Sequence, residues 1–218
     1  MTKQQKFIKR SFDVVGALCG LVMFGWLIII CWIIATIDTN QNGFFFQTRV
    51  GRRAKFFKVI KIRSMKNVKG ITTTVTTKND PRISPIGSFF RKTKLDELPQ
   101  LFNVLIGKMS FVGPRPDVPG YADKLTGDER RLLDLRPGIT GPASLYFRDE
   151  EQILASQPHP EKYNDEILWP LKTKINLSYL DRYSLWTDIR IIFITITGIG
   201  YQTFKKQIYN NKTPLNAT

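Results

Sequence analysis

VVGALCGLVMFGWLIIICWIIATI, from Val14 to Ile37, is a run of 24 residues without a charged side chain, bracketed by Asp13 and Asp38. As a helix it measures roughly 36 Å at about 1.5 Å per residue, enough to cross a hydrocarbon core of about 30 Å. It is too long for a secretory signal, and no small-x-small cleavage site precedes Asp38-Thr39-Asn40, so it is expected to remain as a membrane anchor. Its flanks argue against a simple span. Lys3, Lys6, Lys9 and Arg10 precede it, and Arg49, Arg52, Arg53, Lys55, Lys58, Lys61 and Arg63 follow it with no acid between Thr39 and Arg63. Positive residues mark one side of a membrane, and here both flanks carry them. A helix that enters, bends near Gly25 and returns reconciles the two flanks; a single straight anchor is the alternative.

The remaining composition narrows the chemistry. The 218 residues hold 33 Lys+Arg against 18 Asp+Glu, a net charge of +15, with one histidine and two cysteines. Cys19 and Cys31 lie twelve residues apart inside the apolar run, roughly 18 Å along a helix, so they do not pair with each other. No Cys₂His₂ or Cys₄ zinc site can be assembled, and His159, set in Gln157-Pro158-His159-Pro160, offers little to a catalytic triad. The charge calls for anionic partners. Nucleic acid is not expected, because the cations are dispersed rather than striped along one helix and a long apolar segment serves no purpose there.

Between the anchor and the C-terminus the pattern changes. Phe44 to Arg63 predicts a β-hairpin around Val50-Gly51-Arg52-Arg53, with Lys61 and Arg63 on one face. The polar stretch from Lys66 to Asn79, with its threonine run at 72–77, predicts a mobile loop. Leu95, Leu98, Phe102 and Leu105 have helical spacing, and Pro99 is harmless only in a first turn, which puts Asp96 and Glu97 at or just before the helix N-terminus. There the positive end of the helix favours ionised carboxylates, although Thr93-x-x-Asp96 also fits a capping box. Gly113-Pro114-Arg115-Pro116 and Arg136-Pro137-Gly138-Ile139-Thr140-Gly141-Pro142 hold arginines on stiff backbone, suited to gripping phosphate. No P-loop or GxGxxG accompanies them. A second apolar segment, Ile189 to Tyr201, is too short to span and predicts either core or an in-plane interfacial helix. Trp169, Tyr179, Tyr183 and Trp186, just ahead of it, fit headgroup depth or a buried aromatic cluster.

Together these motifs resemble the bacterial sugar transferases, the small monotopic polyprenyl-phosphate phosphoglycosyl transferases. The likeness runs from Lys9-Arg10-Ser11-Phe12-Asp13, through Asp80-Pro81-Arg82 and Arg91-Lys92-Thr93-Lys94-Leu95-Asp96-Glu97-Leu98-Pro99-Gln100, to Met109 to Pro116 and Arg136 to Gly141. The resemblance implies transfer of a sugar 1-phosphate from a UDP-sugar to undecaprenyl phosphate with release of UMP, starting a surface glycan. It implies Asp96 as the nucleophile of a covalent phosphosugar intermediate, Glu97 with Asp96 as Mg²⁺ ligands, and Lys61, Arg91, Arg115, Arg136, Arg148 and Asp188 as substrate-binding residues. An ionised carboxylate is already a competent nucleophile, and splitting the reaction in two spares the alignment of two anionic substrates at once.

The fold it implies is α/β and mainly helical: a re-entrant helix-break-helix over residues 1–40, then a catalytic domain over 41–218 with a small hairpin and an interfacial helix near 189–201. In that family the break is Ser-Pro, where this chain has Gly25-Trp26. The implied location is the cytoplasmic face of the bacterial inner membrane, against inner-leaflet phospholipid. The sugar is not readable; Pro142 to Lys174, with Asp149, Glu150 and Glu151, is the expected specificity region, and a homo-oligomer is left open. The rival reading is a basic, non-catalytic adaptor that holds anionic lipid or a partner enzyme.

Overall fold

The computed structural model describes residues 1–66 and 80–210; the threonine run at 72–77 and the side chain of Glu151 lie outside the described residues. The chain begins with α1 (Lys3–Thr39), followed by a hairpin of β1 (Phe44–Val50) and β2 (Phe56–Ile62). Helices α2 (Pro85–Thr93) and α3 (Gln100–Leu105) come next, then β3 (Ser110–Val112), β4 (Gly138–Thr140) and α4 (Pro142–Tyr146). The C-terminal part is helical: α5 (Glu150–Ala155), α6 (Pro160–Tyr163), α7 (Trp169–Asp181), α8 (Leu185–Thr197) and α9 (Tyr201–Asn210). The mainly helical α/β expectation is met.

Helix α1 is continuous, and the expected break at Gly25-Trp26 is absent. A lone glycine costs a helix only about 1 kcal/mol, and here the turns on both sides are seated on the domain. Lys9, Asp13, Ala17, Ile28, Cys31, Ala35 and Thr39 form its buried stripe. Ala17 packs with Phe57, Val59, Val104 and Met109, and Ile28, Cys31 and Ala35 pack with Ile62 and Phe90. The opposite stripe, including Val15, Val22, Met23, Trp26, Ile29, Ile33 and Ile37, is exposed. A surface helix of a soluble domain turns polar side chains outward. This one turns apolar ones, which makes it compatible with membrane association.

The seat of α1 is polar at both ends. Lys9 Nζ lies 2.5 Å from Asp188 Oδ2, and Asp188 also accepts hydrogen bonds from Tyr179 (2.5 Å) and Tyr183 (3.4 Å). Asp13 Oδ1 accepts from Ser110 Oγ at 3.0 Å and from the Phe111 amide at 3.1 Å. Arg10 donates to the carbonyls of Val104 and Leu105 at 2.7 and 2.8 Å, at the negative C-terminal end of α3. At the other end of α1, Ser84 Oγ donates to Asp38. Tyr179 and Tyr183 are therefore buried partners of Asp188 rather than headgroup anchors; of the four aromatics, Trp186 is the exposed one, at 79%.

The expected hairpin forms, with Phe44 opposite Ile62 and Val50 opposite Phe56. Asn103 of α3 extends it: its Oδ1 accepts from the Ile60 amide (3.0 Å) and its Nδ2 donates to the Lys58 carbonyl (2.9 Å). This side chain stands in for a third strand and fixes Lys61 one residue further on. The arginine motifs are not separate rigid turns. Ser110 pairs with Gly138 and Val112 with Thr140 in a short parallel ladder. Its glycines are packing requirements: a Cβ on Gly141 would stand 2.0 Å from the Gly113 carbonyl oxygen, and one on Gly138 would stand 2.2 Å from the Gly113 nitrogen.

Most of the second apolar segment lies in helix α8, with Ile191 and Ile194 in the core beside Val112 and Tyr179, Phe193 and Ile196 exposed on the helix, and Ile199 exposed just beyond its end. One face of the element is core, and the other is apolar and exposed.

The Lys9–Asp188 pair yields a prediction. Lys9→Met strands a buried carboxylate and should destabilise the protein by about 3–5 kcal/mol, whereas Lys9→Met with Asp188→Leu should recover most of the loss. Denaturant titration in detergent, comparing the single and double variants, checks it.

Candidate active site

The carboxylate pair sits on a single turn of 3₁₀ helix, Leu95–Glu97. Lys94, just before it, closes α2 in the left-handed region at φ 60°. A non-glycine residue there costs roughly 1–2 kcal/mol, a local cost characteristic of functional sites. Pro99 stands at the N-cap of α3, so Asp96 and Glu97 lie just ahead of that helix, as its position requires. The capping box is not formed: Thr93 Oγ1 donates backward to the Phe89 carbonyl at 2.8 Å.

The two neighbours live in opposite environments. Glu97 Oε1 lies 3.1 Å from Lys61 Nζ and 3.2 Å from Arg115 NH2. Burial pushes the Glu97 carboxyl up, but Arg115, Lys61 and Lys94 outweigh it and hold the group at about 2. Asp96 is 7% exposed, and its Oδ1 is buried with no hydrogen-bond partner. Burial, and then the charge of Glu97, push Asp96 up to about 6 against Lys61, Lys94 and Arg91. One carboxylate is clamped by cations; the other keeps a bare oxygen.

Bare oxygens suit a nucleophile or a metal ligand. Among the described residues no group of three or more His, Cys, Asp or Glu side chains is arranged to hold a metal. Magnesium, however, keeps several waters and is commonly held by one or two carboxylates together with substrate phosphate. The unpartnered Asp96 oxygen beside Glu97 fits that requirement.

The other expected site residues divide. Lys61 and Arg115 meet at Glu97, and Arg91 acts electrostatically on both Asp96 and Asp80. Arg63, expected to share the face of Lys61, instead donates to the carbonyls of Asn42 and Phe44. Arg136 turns away: its Nε donates to the Gly107 carbonyl at 2.8 Å, because the backbone after it is committed to β4. Arg148 is exposed, with its guanidinium beside Gly198 at the end of α8. Asp188, expected among the substrate-binding residues, is instead at 0% exposure and bonded to Lys9 and two tyrosines, inside the protein and apart from the carboxylate pair's cations.

Sequence reasoning missed a neighbouring group of charges. Asp117, two residues beyond Arg115, feels Lys172, Arg49, Arg115 and Glu150, and burial pushes its carboxyl up to about 6. Lys172 and Glu150 pair at 2.5 Å, so the expected specificity region does reach the vicinity of Arg115. Only the position of Asp117 directly after Pro114-Arg115-Pro116 could have flagged it.

Comparison with known proteins identifies the family. A profile described as bacterial sugar transferase matches residues 4–201. A UDP-glucose:undecaprenyl-phosphate glucose-1-phosphate transferase of Escherichia coli (strain K12) is 35% identical over 202 residues, covering 88% of this chain and 40% of that protein. One of the same description from Xanthomonas campestris pv. campestris is 41% identical over 206 residues, covering 91% and 39%. The exopolysaccharide production protein PSS of Rhizobium leguminosarum bv. phaseoli is 35% identical over 201 residues, 88% of this chain and 94% of its own length. The chain thus spans about two fifths of the Escherichia and Xanthomonas proteins and nearly all of the Rhizobium one.

The raised Asp96 carboxyl makes a signed prediction. A carboxyl whose folded value lies near 6 instead of 3.8 stabilises the fold relative to its ionised form below pH 4, and that contribution is lost as pH rises through 6. Asp96→Asn should therefore be more stable than the native protein at pH 7.5, by up to about 3 kcal/mol, with the advantage vanishing near pH 4. Paired thermal melts at the two pH values test this.

Proposed function

The chain belongs to the bacterial sugar transferase family, and on that premise we propose that it transfers a sugar 1-phosphate from a UDP-sugar to undecaprenyl phosphate. The observation that carries the reading is the bare, buried Asp96 oxygen next to a cation-clamped Glu97. Ionised Asp96 attacks the phosphorus that bears the sugar. The bond from that phosphorus to the bridging oxygen breaks, UMP leaves with the electron pair, and the sugar phosphate is held on Asp96 as a mixed anhydride. A phosphate oxygen of undecaprenyl phosphate then attacks the same phosphorus and breaks its bond to Asp96. The products are undecaprenyl-diphosphate sugar and the free carboxylate.

The surrounding residues serve this chemistry by charge and position. Lys61, Arg115 and Arg91 offset the repulsion between a carboxylate and a diphosphate. Glu97 keeps Lys61 and Arg115 oriented, the two cations nearest the pair. Mg²⁺, held by Asp96 and Glu97, would supply further neutralisation of phosphate oxygens and of the leaving UMP.

The product starts a surface glycan. We place the chain on the cytoplasmic face of the inner membrane, monotopic: the outer stripe of α1 and the exposed Trp186, Phe193 and Ile196 of α8 enter the inner leaflet. In this version of re-entry both ends of α1 stay on the domain side because the helix lies along the domain, with no break required.

The test is a quenched reaction. Incubated with donor but no acceptor, the native protein should gain the mass of one hexose phosphate while releasing UMP. Asp96→Asn should do neither, with activity reduced at least about 10⁴-fold, the scale seen when a covalent nucleophile is removed. Turnover by Asp96→Asn at the native rate would reject the mechanism and favour a non-catalytic role for the pair.

A further inference from the structure

Beside Arg115 lies a small crevice of about 40 Å³ between the Val50–Gly51 turn, the segment from Pro114 to Asp117, and helix α7. Its walls are largely apolar, with Leu132, Leu135 and Pro137 among them. Two polar side chains of α7 nevertheless line it, Thr173 at 2% and Asn176 at 7% exposure, and neither Thr173 Oγ1 nor Asn176 Oδ1 has a hydrogen-bond partner. They are three residues apart on a helix, so they share one face. Buried polar atoms are almost always satisfied, and two such exceptions facing one cavity mark an absent partner. Resting on the donor reading given above, we propose that this crevice receives the pyrimidine base of the UDP-sugar, with Thr173 and Asn176 reading its polar edge.

The chemistry of the walls selects the base over the sugar. A pyranose carries hydroxyls around its whole rim and would leave several of them against leucine and proline. A pyrimidine has two apolar faces and a polar edge, in uracil an N–H between two carbonyls. Asn176 Oδ1 can accept from that N–H, and the Thr173 hydroxyl can donate to a flanking carbonyl. The enclosed volume is smaller than the ring, so it takes the edge, and the rest of the ring lies at the mouth. There Trp169, half-buried and packed edge-on to Tyr121 at 5.4 Å, offers an aromatic surface. Asp117 also lines the mouth, and its carboxylate makes no side-chain hydrogen bond among the described residues, which leaves it free to accept from ribose hydroxyls. Arg115 borders both the crevice and Glu97, so a phosphate on Arg115 joins the two halves of one ligand.

The experiment is calorimetric titration of the full chain in detergent with UMP and, separately, with ribose 5-phosphate, which lacks the base. The native protein should bind UMP at least about tenfold more tightly, and Thr173→Val and Asn176→Leu should each weaken UMP about tenfold while leaving ribose 5-phosphate unchanged. Binding of ribose 5-phosphate reports that the variants are folded, and Thr173→Val, close to isosteric, carries the test if Asn176→Leu does not fold. Equal affinity of the native protein for the two probes, or native affinity for UMP in Thr173→Val, overturns the subsite and leaves the two polar atoms to buried water. If the native protein still forms the Asp96 adduct in that case, the transfer reading stands alone. If it forms no adduct and binds no UMP, both fall.

Discussion

The buried pair between Lys9 and Asp188 decides how the rest of the molecule is arranged. Helix α1 is apolar nearly all round between Val14 and Ile37, and dispersion contacts alone would hold such a cylinder at many rotations. Charges cannot be buried unpaired, so a lysine and an aspartate that meet inside protein, with two tyrosine hydroxyls completing the shell, permit one rotation and one axial position. Once that is set, Asp13 reaches the start of β3 and Arg10 reaches the end of α3. Since α3 begins just after Asp96 and Glu97, the long apolar helix and the carboxylate pair belong to one packed arrangement.

Within the pair, adjacency in sequence does not mean equivalence. The tight turn after Lys94 sends Glu97 into ion pairs with Lys61 and Arg115 and leaves Asp96 buried with its Oδ1 unpartnered. The two carboxyls end on opposite sides of the ordinary carboxylate range, at about 2 and about 6. Environments that drive two acids apart assign them different tasks: one anchors cations permanently, the other is costly to ionise and therefore reactive once it is. Lys61 owes its place to Asn103, whose amide completes the hairpin edge, so even this electrostatic division depends on packing.

What could be read beforehand was local. The hairpin from Phe44 to Ile62, the two apolar segments, and the carboxylates ahead of Pro99 each announce themselves through alternation, length or a proline's missing amide. What could not be read was pairing between distant segments. Three-residue strands such as 110–112 and 138–140 carry too little pattern to find one another, so nothing in the sequence marked Gly113, Gly138 and Gly141 as sites of close backbone contact. The hydrogen bond of Arg136 to the Gly107 carbonyl was hidden for the same reason, its direction being set by a ladder invisible in the sequence. Asp188, with Tyr179 and Tyr183, resembled surface chemistry because nothing local indicates that Lys9, far away in the chain, comes to meet it. The break at Gly25 was inferred from flanking charge, whereas α1 runs on through Gly25 as one helix seated on the domain to either side of it.

That posture of α1 has a mechanical consequence. On the placement proposed above, a cylinder roughly 55 Å long, pressed sideways into a single monolayer, would enlarge the area of that monolayer and not of its opposite. Lipid on the occupied side must splay to make room, so such a wedge partitions best where headgroups are already spread, on convex or loosely packed patches, and it resists regions that are flat and dense. Neither Lys3 nor Lys66 has to pass through oil for this to happen.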